Sequence, residues 1–233
     1  MYKLFSAFIA IMPCGCFSNF DDLRDRATKA ALVCDLTGNS VMGLEVFRDP
    51  NISSDCRARI LFDFRAEELT PESEQALING AWSLLKYDWE KIDDPSLYGE
   101  LAHAREHLGI DQPEGFLIYS WVTSQFRRTT YKFGKNSAAA YNGHYDELRM
   151  DDYMTPFNGA LGLVHEAHHA ATGSRHVRCP NSPAYSRQCD RGVLGAYSAS
   201  IAIVKAAPET TDEYVDLVIE RNILGYQDRV LEE

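Results

Sequence analysis

The sequence predicts an α+β fold, mainly helical with a small sheet. Three observations carry this reading. Helical apolar spacing, with good start and stop signals, recurs along the chain. Two short runs, 42–47 and 59–64, alternate enough to be strands, and residues 115–133 are rich in aromatic and β-branched side chains. No repeat and no Pro/Gly/Ser-rich linker divides the chain. The expected organisation is a leader over residues 1–15 and one α+β domain over residues 17–233.

The leader comes first in the chain. Lys3 precedes a short apolar run, Leu4 to Met12, broken only by Ser6. Nine residues reach ~14 Å as a helix, about half a bilayer, so this run does not span a membrane. It has the form of a secretory signal. It ends in Cys14-Gly15-Cys16. A small residue and a cysteine after such a run resemble a bacterial lipoprotein signal. That resemblance implies cleavage before Cys16, lipid on Cys16 and attachment to the cell envelope. Ordinary secretion into the periplasm or beyond is the alternative.

Residues 21–33 read as a helix, with Asp21 and Asp22 at its start and Leu23, Ala27, Ala30 and Ala31 at helical spacing. Residues 42–47 and 59–64 alternate enough to be strands. Thr70-Pro71-Glu72 opens a helix that the pattern carries to about Lys91. A second helix is expected over 97–108. Residues 115–133 hold many aromatic and β-branched side chains and read as one or two strands. Residues 134–152 read as polar and irregular. Residues 156–171 are helical, 172–192 form a loop, and helices close the chain at 193–206 and 211–224.

Composition narrows the function. Of 233 residues, 45% are hydrophobic and 24% charged, both ordinary for a globular chain. The net charge of -11 argues against nucleic acid, since no basic cluster is larger than Arg127-Arg128 or Arg175/Arg178. With Cys14 removed and Cys16 lipidated, four cysteines remain. They fall into two sequence-local pairs, Cys34–Cys56 and Cys179–Cys189. Two disulfides are therefore expected, each worth roughly 2–3 kcal/mol, in an oxidising compartment.

The chemistry lies in Leu161-Gly-Leu-Val-His165-Glu166-Ala167-His168-His169-Ala170-Ala171. His165 and His169 are four apart, so a helix puts them on one face. Two imidazoles so placed can bind one Zn²⁺. Glu166 is rotated only ~100° from His165 and can take a proton from an attacking water. His168 faces elsewhere. This His-Glu-x-x-His segment resembles the active-site helix of the zincin metallopeptidases over about residues 157–176. The resemblance implies His165 and His169 as zinc ligands and Glu166 as general base. It also implies a peptide or protein as substrate.

A third ligand is needed for catalytic zinc. Thr172-Gly173-Ser174-Arg175-His176 follows. Its Gly-to-His interval matches the metzincin pattern, shifted by one residue. His176 is the first choice; Asp190 is the next, and Glu209, Glu213 or Glu220 would match a Glu-type site. No methionine follows Met154, so no Met-turn is present. Tyr197 or Tyr185 could stabilise an oxyanion, with Tyr197 preferred. Arg175 and Arg178 could meet a substrate carboxylate. His103 and His107 bracket Glu106 in the wrong order for this motif. The expected protein is an exported zinc-dependent hydrolase. The alternative is a binding or structural module whose histidines hold zinc without turnover, or hold no metal.

Overall fold

The computed structural model describes residues 20–36, 42–87, 115–131, 139–150, 154–180, 188–191, 195–207, 210 and 212–231. The expected leader over residues 1–15, Cys16, residues 97–108 with His103 and His107, Tyr185 and Glu209 lie outside the described residues. What is described is mainly helical with two small sheets, an α+β fold. No helix among the described residues is long and apolar enough to cross a membrane.

Helix α1 is Phe20–Val33, close to expectation. The two strands expected next are absent. Met42 makes only an isolated bridge to Thr210, and Leu44–Phe47 is a 3-10 turn. Residues 59–63 belong to helix α2, Ser54–Asp63, and Phe64 is its C-cap. Ser53 caps it by accepting the Cys56 N–H at 3.2 Å. Its buried positions, Cys56, Ile60 and Asp63, repeat at helical spacing, and Arg59 pairs with Asp63 at 2.9 Å. The apolar run 60–62 alternates too poorly to decide the matter against that cap.

Helix α3, Pro71–Lys86, has its Thr70 cap and its Pro at the first turn, and ends earlier than expected. Helix α4, Gly115–Ser124, replaces an expected strand. Positions 118–123 are all buried, with Ile118, Tyr119, Ser120, Val122 and Thr123 at 0% exposure. A helix packed on every side keeps no polar stripe, and packing outweighs the β-propensity of its residues. Strand β1, Arg128–Tyr131, follows. The stretch expected to be irregular holds β2, Ala139–Asn142, and β3, Glu147–Met150. β3 lies between the other two, parallel to β1 and antiparallel to β2.

Helix α5, Pro156–Thr172, carries the His-Glu-x-x-His segment. Thr155 caps it, and Gly173 ends it at φ 67°, the left-handed conformation glycine adopts without strain. α5 packs most extensively on α3, and also on β2 and on helix α6, Ala196–Lys205. The α3–α5 crossing is close because both helices present glycine. A Cβ on Gly80 would lie 2.6 Å from the Gly159 carbonyl carbon, and one on Gly159 would lie 2.7 Å from Gly80 Cα. Beyond α5, the expected loop contains β4, Val177–Arg178, and β5, Gln188–Arg191. Helix α7, Glu213–Gln227, leads to β6, Val230–Leu231, which pairs parallel to β5.

The buried core joins α2, α3, α4, α5 and α6, with Phe64, Tyr119, Phe126 and Phe157 among its largest side chains. Cys34–Cys56 ties the end of α1 to α2, and Cys179–Cys189 links β4 to β5. Both disulfides fit an oxidising, exported environment.

Candidate metal centre

His165 and His169 project from the last turns of α5. His176 returns to them after the Gly173 turn. The three Nε2 atoms are 3.0 Å (His165 to His176), 3.0 Å (His169 to His176) and 3.2 Å (His165 to His169) apart. This is the spacing of one face of a metal coordination shell with metal–nitrogen distances of ~2.0–2.1 Å.

The other ring nitrogens show why this fits a cation. His176 Nδ1 lies 2.7 Å from Asp190 Oδ1, an acceptor only. His169 Nδ1 lies 2.9 Å from the Ser174 carbonyl oxygen, also an acceptor only. His165 Nδ1 faces the Ser200 hydroxyl at 3.4 Å and the Ala196 backbone. Ser200 gives its own proton to the Ala196 carbonyl at 3.0 Å, so its oxygen accepts. Each imidazole therefore carries its proton on Nδ1. Three Nε2 lone pairs then meet at one point. Without a cation they repel; around a cation they are ligands. Burial, followed by the neighbouring imidazoles, pushes His165 well below the ordinary histidine range. His169 is lowered for the same reasons, against the Ser174 carbonyl and Asp190. Both rings are held neutral, the form that binds metal. These three histidines can hold a metal ion, and no further His, Cys, Asp or Glu joins the cluster among the described residues.

Asp190 stands behind His176. It is 3% exposed. Its Oδ2 accepts the Tyr197 N–H at 2.6 Å, and its own N–H donates to the Arg229 carbonyl at 2.8 Å. The turn before α6 must be glycine here, because a Cβ on Gly195 would run into the Asp190 carboxylate. Glu213 and Glu220 are exposed on α7, away from the cluster.

Glu166 is half-buried beside the triad. Its Oε2 accepts the Tyr141 N–H at 2.6 Å. β2 is an edge strand, and this amide points outward from the sheet, towards α5. Tyr197 is 6% exposed. Its ring stacks on His176, with centroids 4.8 Å apart and planes 25° apart, and lies 4.6 Å from His165. Burial raises the Tyr197 phenol above the ordinary tyrosine range, with help from Asp190 and Glu166; Arg229 works against them. His168 is fully buried and outside the triad, its Nδ1 3.4 Å from Ser174 Oγ. Arg175 and Arg178 are exposed.

Three contributors escape a reading of the sequence. Ser174 and Ser200 orient imidazoles, and nothing in their local sequence sets them apart from other serines. Arg229 donates from Nη1 to the Tyr197 hydroxyl at 2.7 Å across 32 residues of chain. No spacing rule reaches that far.

No protein-family model matches this chain, and neither a curated protein nor a solved structure matches it.

Proposed function

We propose that this chain is an exported zinc-dependent hydrolase, most simply a metallopeptidase, anchored to a bacterial envelope by lipid on Cys16. One observation carries the reading. Three Nε2 lone pairs converge within 3.0–3.2 Å on a His-Glu-x-x-His helix, with a carboxylate one residue from the first ligand. Zinc held there would polarise a substrate carbonyl and bring a water's pKa towards neutral.

The protein's own groups have distinct parts. His165, His169 and His176 would hold the ion. Ser200, Ser174 and Asp190 keep each ring in the binding tautomer. Glu166 would accept the proton of the attacking water and return it to the leaving amine. Tyr197 would donate a hydrogen bond to the carbonyl oxygen as negative charge builds there. A peptide is the substrate class favoured here. The resemblance of the His-Glu-x-x-His helix to the zincin metallopeptidases supports that class.

The test is elemental analysis of the exported protein purified without added metal, beside turnover of a mixed peptide library. About one zinc per chain is expected, lost in His165→Ala and in His176→Ala. Glu166→Gln should keep the metal and slow turnover by about a thousandfold. Full activity in Glu166→Gln would sink the mechanism. Zinc bound without any turnover would leave a non-catalytic site. No metal in the wild type, even after zinc is offered, would overturn the enzyme reading.

A further inference from the structure

Arg229 sits in the turn between α7 and β6, outside every motif in the sequence. Both ends of the residue are fixed. Its N–H donates to the Tyr226 carbonyl at 2.9 Å, and its carbonyl accepts the Asp190 N–H at 2.8 Å. Its guanidinium carbon lies 5.0 Å from the Tyr197 ring centroid, and Nη1 donates to the Tyr197 oxygen at 2.7 Å.

The direction of that last bond is set by chemistry. A guanidinium has donors only. The Tyr197 oxygen must therefore accept, and its own proton is not used in the bond. The rest of the tyrosine has little freedom. Its backbone N–H is held by Asp190, and its ring lies against His176 and His165. A phenol that accepts from a cation also becomes a stronger donor, because each bond polarises the next.

We propose that Arg229 is a positioning residue that fixes Tyr197 as a hydrogen-bond donor to an oxyanion bound at the His165–His169–His176 centre. The inference rests on the zinc-hydrolase reading and adds a residue to it. Arg229 acts through Tyr197. It touches no imidazole of the triad, so it leaves metal affinity alone.

The experiment uses the zinc-loaded protein and acetohydroxamate, a small ligand that brings an oxyanion to a metal. Binding is measured by calorimetry in the wild type, Tyr197→Phe, Arg229→Met and the double variant. Met keeps the apolar stem and removes the donors; Arg229→Lys is the fallback if Met lowers folding, since it keeps the charge and loses the fork. Zinc content and zinc Kd are measured on each protein. The expected result is binding weakened about tenfold in Tyr197→Phe, by a similar factor in Arg229→Met, and no further in the double variant. Zinc Kd stays unchanged throughout. Additive losses would overturn the proposal, because Arg229 would then meet the ligand directly. So would full-strength binding in Arg229→Met beside a loss in Tyr197→Phe, or loss of zinc in Arg229→Met. A wild type that binds no zinc overturns the parent reading, and this one with it, and that outcome is read separately.

Discussion

The Asp190 carboxylate bridges the His176 imidazole and the first turn of α6. One oxygen takes the Nδ1 proton at 2.7 Å, and the other takes the Tyr197 N–H at 2.6 Å. Two donors meet two acceptors. An amide cannot reproduce this, since one of its two heads is itself a donor. Asp190→Asn should therefore weaken metal binding by about 10–100-fold, with the helix content preserved. Competition with a chromophoric chelator measures it. An unchanged Kd would show that His176 needs no carboxylate to hold its ring.

The Gly80–Gly159 crossing sets where α5 lies, and with it the first two histidines. Gly159→Ala forces a methyl group to within 2.7 Å of the Gly80 backbone. Backbone cannot step aside as a side chain can. The expected cost is about 3 kcal/mol in a urea melt. A loss below about 1 kcal/mol would mean that the two helices separate easily.

Glu147 gives a stability term with a defined sign. It is 4% exposed and accepts bonds from Arg149 at 2.8 Å, Thr130 at 2.8 Å and Asn142 at 3.2 Å, with Arg128 at 3.2 Å. Burial acts to raise its pKa; the bonds from Arg149, Thr130 and Asn142 outweigh burial and lower it. A carboxyl lowered on folding stabilises the protein above its unfolded pKa, and loses that effect as pH falls through the folded value. Glu147→Gln should cost about 2 kcal/mol at pH 7. The gap between variant and wild type should close as pH drops below the ordinary glutamate range. Urea melts across that range measure it. A gap that stays constant with pH would show that the charge contributes nothing.

The two disulfides should separate stability from metal binding. Cys179–Cys189 closes an interval of 10 residues and Cys34–Cys56 one of 22. Loop entropy gives each about 3 kcal/mol. Cys189 pairs with Val177 across β4 and β5, between His176 and Asp190. Replacing both cysteines of that bridge by serine should lower Tm and weaken metal binding together. The same change at Cys34 and Cys56 should lower Tm alone. Equal metal affinities in the two double variants would sink the distinction.

What could be read from the sequence was what is local. The Thr155 cap, the Gly173 stop and the apolar frame of α5 lie within one helix length, and so do the three histidines. α3 announced itself by Thr70 and Pro71 in the same way. The failures share one cause. Residues 115–124 look like a strand because aromatic and β-branched side chains suit strands, yet burial on every side lets them form α4. β2 and β3 were missed because their polar residues are satisfied across strands, as Glu147 is by Thr130 and Asn142. The role of Asp190 was half visible. Its closeness to the site followed from the Cys179–Cys189 pairing, but only geometry separates a ligand from a group that supports one. Arg229 left no trace, because its partner is 32 residues away.

The pairing of β6 with β5 has a consequence in time. Chains are made from the N-terminus, so His165, His169 and His176 emerge before Asp190, Tyr197 and Arg229. A nascent chain can present all three imidazoles while nothing yet fixes the His176 ring. The Asp190 N–H finds its acceptor only when Arg229 has been added. The order of synthesis leaves the histidine cluster without its supporting carboxylate until nearly the whole chain has been made.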